Sequence, residues 1–150
     1  METSKEMRER MKQWEGLKLT AYKCPAGVWT IGYGHTGSDV KQGQTITAAR
    51  ANELFNSDLL KFETKVKALL TASRVTLKQN QYDALVSFAY NAGVGNLTSS
   101  TLWRMVKADP NDAGIEAQFN RWVYASGKVL PGLVTRRKAE GAIYAGKLKA

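Results

Sequence analysis

Glu15-Gly16-Leu17-Lys18-Leu19-Thr20-Ala21-Tyr22-Lys23-Cys24-Pro25-Ala26-Gly27-Val28-Trp29-Thr30-Ile31-Gly32-Tyr33-Gly34-His35 is the stretch on which the reading of this chain turns. It holds a carboxylate, the chain's only cysteine and its only histidine. The acidic residue closes what reads as a helix. Two short alternating runs follow, Leu17–Tyr22 and Val28–Tyr33, joined by Cys24-Pro25-Ala26-Gly27. Proline at the second and glycine at the fourth of those positions fit a type I turn. A hairpin folded back beside the helix end brings Glu15, Cys24 and Thr30 into one neighbourhood.

Upstream, Thr3 with Glu6 reads as a capping box, and Met7, Met11 and Trp14 recur at helical spacing. The first helix is predicted over Ser4 to Glu15, with Gly16 as its stop. The negative end of that helix disfavours an ionised Glu15, and desolvation by Trp14 would act the same way. Both favour the proton that a general acid must carry. A solvated helix-end glutamate is the plain alternative.

Downstream, Gly37 to Gly43 is polar and turn-rich, and Val40 to Ile46 reads as a weak third strand. Thr47 caps a long helix, about Thr47–Leu70, whose apolar face is Ala51, Leu54, Phe55, Leu59, Phe62, Val66, Leu69 and Leu70, with Asp58 at its margin. Thr76 with Gln79 suggests another capping box, for a helix ending around Asn91 at Gly93. Asn91 to Thr101 reads as a linker. Helices follow through Leu102, Trp103 and Val106, near Asn111 to Asn120, and from Leu133 to Leu148, with a flexible stretch at Ser126 to Gly132. The expectation is one α+β domain with about six helices. A β lobe over about 16–46 is joined by the long helix to a helical lobe over about 71–150, with the N-terminal helix near the cleft.

At 150 residues, 43% hydrophobic and 23% charged, the chain is one ordinary globular domain in bulk terms. Its net charge of +9 is not ordinary and calls for an anionic partner surface. Nucleic acid, anionic lipid and bacterial cell wall all qualify. Against nucleic acid, the lysines and arginines are spread along the chain, and no helix-turn-helix, RNP or zinc pattern is present. A single cysteine excludes an internal disulfide, and no metal site or cofactor is expected. The N-terminal residues hold no apolar run, so the expectation is synthesis in a bacterial cytoplasm without stable membrane insertion.

Glu15-Gly16, Leu19-Thr20-Ala21-Tyr22 and Thr30-Ile31-Gly32-Tyr33-Gly34-His35 resemble the signature of the phage-type lysozymes, the endolysin muramidases of glycoside hydrolase family 24. The likeness continues in Tyr90-Asn91-Ala92-Gly93-Val94-Gly95 with Ser100-Thr101-Leu102, in Arg121-Trp122, and in Leu130-Pro131-Gly132-Leu133-Val134 with Arg136-Arg137. The family's catalytic set is Glu, then Asp nine residues on, then Thr six further. Here those positions hold Glu15, Cys24 and Thr30, which points to a branch with Cys-Pro-Ala-Gly at the turn.

The resemblance implies a lysozyme-like fold and cleavage of the β-1,4 bond between N-acetylmuramic acid and N-acetylglucosamine. It implies peptidoglycan strands as the substrate of a monomeric enzyme, and a holin-type pore for access to the wall. It places Tyr33, Thr36, Tyr90 and Asn91 against the glycan. It makes His35 a supporting residue hydrogen-bonded near the catalytic glutamate, in preference to a general base. Arg136 and Arg137 pair with carboxylates near the cleft or form a solvated basic face.

Glycoside hydrolysis needs an acid for the leaving oxygen and a second group across the sugar ring. Glu15 suits the first role, and Cys24 and Thr30 are candidates for the second. A free thiol titrates near pH ~8.5, so Cys24 needs help to become a thiolate. Lys23 is adjacent, although alternation turns it away. Cys24 as a small buried hydrophobe and Thr30 as a plain β-branched strand residue are the bland alternatives. Inversion, with Cys24 and Thr30 holding water, is preferred over retention through a Cys24 thioglycosyl intermediate. A nucleic-acid module, a non-catalytic wall-binding domain and a lytic transglycosylase are the competing functions.

Overall fold

The computed structural model describes residues 1–150. The chain runs α1 (Lys5–Glu15), β1 (Lys18–Lys23), β2 (Trp29–Gly32), β3 (His35–Thr36), α2 (Ala48–Ser73), α3 (Gln79–Ala92), α4 (Val94–Ser99), α5 (Thr101–Ala108), α6 (Ile115–Phe119), β4 (Tyr124–Ala125), β5 (Lys128–Val129) and α7 (Pro131–Tyr144). This is the expected α+β, lysozyme-like arrangement, with seven helices in place of about six. No helix is long and apolar enough to cross a membrane.

The sheet is an antiparallel meander in the order β1-β2-β3. Its register sets Tyr22 opposite Thr30 and Lys23 opposite Trp29, and on the other side Thr30 opposite Thr36. Thr30 is thus in the central strand. The turn between β1 and β2 closes as expected: Gly27 N donates to Cys24 O at 2.8 Å, and Cys24 N to Val28 O at 2.9 Å.

Two separate apolar cores explain the shape. Ile31, Val40 and Leu54 form a small one under the sheet. The larger gathers Met7 and Met11 from α1, Phe55, Leu59 and Val66 from α2, Tyr82 to Ala89 from α3 apart from Asp83 and Ser87, and the inward residues of α4, α5, α6 and the end of α7. Only α2 serves both, because Leu54 and Phe55 are adjacent residues that point about 100° apart on a helix. That makes α2 the spine. Glu63, buried on the same helix, accepts from Thr3 N at 2.7 Å and Thr3 Oγ1 at 2.8 Å.

That contact corrects the first cap. Thr3 is drawn to Glu63, so Ser4 becomes the N-cap and its hydroxyl accepts from Met7 N at 3.1 Å. The Thr76–Gln79 box is likewise displaced: Leu77 is buried, the helix begins at Gln79, and Gln81 Oε1 accepts from Lys78 N at 2.9 Å. The third strand is His35–Thr36, while Val40 to Ile46 contributes a single bridge, Thr20 to Thr45, because Val40 dives into the small core and Lys41–Gln44 turns back.

Asn91 to Thr101 is no open linker, since Leu97 is fully buried and draws residues 94–99 into α4. The helix expected over Asn111 to Asn120 shortens to α6, anchored by buried Ile115 and Phe119. Ser126 to Gly132 was expected to be flexible, but Tyr124 pairs with Val129 and Ala125 with Lys128 in a small hairpin. The last helix starts at Pro131, an N-terminal position where the missing N–H costs nothing, and ends at Tyr144.

Candidate active site

Glu15 is the last residue of α1, because Gly16 leaves the helix at φ 71° and returns its N–H to Lys12 O at 2.9 Å. Its side chain is 14% exposed. Arg136 of α7 donates through Nη1 to Glu15 Oε2, and its guanidinium lies 5.1 Å from the centre of the Trp14 ring. The β2–β3 turn passes over the carboxylate at Gly34, so close that a Cβ there would overlap Glu15 Oε1.

Cys24 is half-buried in the β1–β2 turn. Burial pushes its thiol pKa up, but hydrogen bonds from the Val28 and Ala26 backbone and from the Thr30 side chain outweigh that and leave it below its ordinary value. Lys23 takes no part: its ammonium stands 5.5 Å from the centre of the Trp29 ring. Thr30 is itself buried, and its one hydroxyl proton has two claimants. It reaches Val28 O at 2.9 Å, and it also faces the Cys24 sulfur. A neutral thiol leaves the proton on the carbonyl, whereas a thiolate competes for it.

Tyr22 ties the two halves together. Its phenol is raised first by burial and then by the charges of Glu15 and Cys24, which places both within electrostatic reach of one ring. Cys24 and Thr30 share the β1–β2 hairpin, with Tyr22 directly opposite Thr30.

The other residues singled out from sequence divide into those at this site and those engaged elsewhere. Arg136 meets Glu15 directly. Arg137 donates to Asn91 Oδ1 and, through Nε, to Trp122 O at 3.0 Å. Tyr90 gives its hydroxyl to Tyr33 O at 2.8 Å, and its ring packs on Phe55 and Phe62. Burial above all pushes its phenol far up, with Glu15 and Asp58 adding to the effect. Thr36 is exposed at the sheet edge.

His35 is engaged by two carboxylates other than Glu15: Nδ1 is hydrogen-bonded with Asp58 at 2.7 Å and Nε2 with Asp39 at 2.9 Å. Burial lowers the imidazole pKa, but these two carboxylates more than reverse it, so the ring holds its proton above the usual value. The reason is the register, which pairs Ile31 with His35 and directs the histidine toward α2.

A groove of about 570 Å³ opens beside Cys24, lined by Pro25, Asn91, Trp122, Tyr124, Leu133 and Arg137 among others. Ser126 Oγ approaches Pro25 O at 3.5 Å at its rim. A recess of about 470 Å³ between the start of α3 and the end of α7 shares no residue with it. Sequence reasoning met Gly34 and Tyr22 only as parts of the signature, with no role of their own, and passed over Ser87 and Glu140. Of the last two, Glu140 carried a signal, a carboxylate three and four residues after consecutive arginines.

A small sheet carried by one long helix against a helical body, with a shielded helix-end glutamate facing a hairpin, defines a lysozyme-like fold. The phage lysozyme family model matches residues 12–140. The chain is 44% identical over 136 residues to the endolysin of Bacillus phage PZA, covering 89% of this chain and 51% of that one. It is 42% identical over 139 residues to the endolysin of Acyrthosiphon pisum secondary endosymbiont phage 1, covering 89% of this chain and 91% of that one. It thus spans about half the length of the first and nine-tenths of the second. The solved endolysin from Escherichia coli O157:H7 phage FAHEc1 superposes with TM-score 0.84 at 35% identity, over 99% of this chain and 96% of that one. The chain belongs to the phage lysozyme family.

Proposed function

We propose that this chain is an endolysin muramidase that hydrolyses the β-1,4 bond between N-acetylmuramic acid and N-acetylglucosamine in bacterial peptidoglycan. The observation that carries the reading is the Glu15 carboxyl, shielded under Gly34 and held by Arg136 at the hairpin that bears Cys24 and Thr30. Residues 16–46 form one wall of the cleft and 71–150 the other, within a single catalytic unit. Glu15 gives its proton to the leaving oxygen as the C1–O bond breaks. Cys24 holds the attacking water on the opposite face, with Thr30 acting through the Cys24 sulfur. Water adds to C1 and leaves its proton with the thiolate, which inverts the anomeric centre.

Tyr33, Thr36, Tyr90 and Asn91 shape the glycan path, Tyr90 by fixing the Tyr33 backbone and Asn91 by facing the groove. The lowered Cys24 pKa favours one further course. A thiolate could attack C1 directly, and water would then release the sugar with retention. The enzyme works as a monomer, is made in the host cytoplasm and reaches the wall through a holin-type pore.

The test is clearing of peptidoglycan suspensions by wild type and Glu15→Gln, with mass analysis of the sugars released. Reducing muropeptides from wild type and none from the variant support the reading. Anhydro-muropeptides would mean a lytic transglycosylase, and no soluble sugar from wild type would refute cleavage altogether. A sugar trapped on Cys24 would replace inversion by retention.

A further inference from the structure

Behind Glu15 the buried charges converge on a carboxylate that the mechanism above does not use. Glu140 of α7 has no exposed surface. Its Oε2 accepts from Arg136 Nε at 3.1 Å and from the Ser87 hydroxyl, and its Oε1 accepts from Arg137 Nη1 at 2.7 Å. From there the two arginines diverge. Arg136 reaches Glu15, and its Nη2 also donates to Ser87 O at 3.3 Å. Arg137 reaches Asn91 at the groove. Consecutive helix residues point about 100° apart, and a residue three and four positions later lies between them.

We propose that Glu140 is a positioning residue for the cleavage inferred above. By balancing the Arg136 charge it lets that arginine hold Glu15 in place without locking it as a carboxylate, and through Arg137 it sets the Asn91 side chain. The inference rests on the muramidase reading.

The charge count gives the physical reason. With Glu15 ionised, Glu15, Glu140, Arg136 and Arg137 together are neutral; with Glu15 protonated they carry one positive charge. Neutralising Glu140 makes both states more positive by one. In a poorly solvated site this favours loss of the Glu15 proton. A general acid must keep that proton until the leaving oxygen takes it.

Burial works against the Arg136 charge, and the carboxylates of Glu140 and Glu15, both hydrogen-bonded to it, more than restore it. The other titratable groups on the Glu15 side are Tyr22 from β1 and Tyr90 from α3, whose phenols are raised by burial and so uncharged over the working range, and the Cys24 thiol of the hairpin turn, which is common to every variant compared below. Around Glu140, α3 supplies the neutral Ser87. From α6, Glu116 presents its backbone carbonyl to Gly141, while its carboxylate pairs with Lys147.

The experiment is the pH profile of kcat/KM on soluble peptidoglycan fragments, with ¹³C NMR titration of the Glu15 carboxyl beside it. Wild type, Glu140→Gln, Glu140→Asp, Arg137→Gln and the double variant Glu140→Gln with Arg137→Gln are compared, and folding is checked by circular dichroism. Glu140→Gln is expected to move the alkaline limb and the Glu15 titration to lower pH. Arg137→Gln should move both upward, the double variant should return most of the way, and Glu140→Asp should lower the plateau without moving the limb.

If Glu140→Gln does not fold, Arg137→Gln reads the same balance with the opposite sign. Folded variants whose limb and Glu15 titration do not move would overturn the proposal and leave Glu140 a packing residue. Wild type releasing no muropeptide would defeat the muramidase reading instead, and the NMR titration would still decide whether Glu140 acts on Glu15.

Discussion

Gly34→Ala separates stability from catalysis at this site. Gly34 has φ 79°, and a Cβ built on it would stand 3.2 Å from Glu15 Cδ and closer still to Oε1. Two costs follow. The left-handed backbone costs alanine about 1–2 kcal/mol relative to glycine. The overlap is relieved not by the backbone but by the free end of a flexible side chain, so it adds little to that figure. Glu15 must, however, retreat by on the order of 1 Å, a normal carbon–oxygen contact being well above 3 Å.

Displacement on that scale can lower a rate by about 100-fold. Gly43→Ala is the matched control: φ is 82° and nothing lies within 4 Å of its Cβ, so it pays the backbone cost alone. The assay is urea unfolding together with kcat on soluble peptidoglycan fragments. Both variants should lose similar stability, and only Gly34→Ala should lose activity. A folded Gly34→Ala enzyme with wild-type kcat would refute the placement of Glu15 under the turn.

Cys24→Ala is expected to lose most activity and Cys24→Asp to keep much of it, because a thiolate and a carboxylate can both accept a proton from water. Activity should fall as pH drops through the lowered thiol pKa, and thiol alkylation should inactivate; full activity in Cys24→Ala would return Cys24 to a packing role. Asp58→Asn should destabilise the protein more at pH 5 than at pH 9. The raised His35 pKa means that its ion pair contributes fully below about pH 6.5, the unfolded value, and is lost as pH rises through the native one; thermal melts giving the same difference at both pH values would refute this. Salt should weaken binding to whole cell wall but not turnover of short neutral glycans, since the +9 charge acts over a screened surface whereas cleft contacts are local. Equal salt dependence of the two would count against a surface role for the charge.

The elements legible from sequence were those whose signals are local. Gly16 ended α1, Cys24-Pro25-Ala26-Gly27 closed the turn, and the apolar stripe from Ala51 to Val66 marked α2, each within a few residues of the signal itself. The readings that failed turned on distant partners. Thr3 looked like a cap, but Glu63, 60 residues away, claimed it. Residues 94–99 looked like linker until Leu97 was buried among helices from the rest of the chain.

The site divides the same way. Sequence alone determined that a carboxylate closes a helix and that a thiol and a hydroxyl follow on one hairpin, because a helix stop and a tight turn are local signals. Only the tertiary structure decided what surrounds them: Arg136, 121 residues from Glu15, the Glu140 that balances it, and the Asp58 that takes His35. The physical reason is range. Turn and cap chemistry acts through neighbouring backbone and can be read from a short string, whereas the protonation of a buried acid depends on charges that only packing brings together.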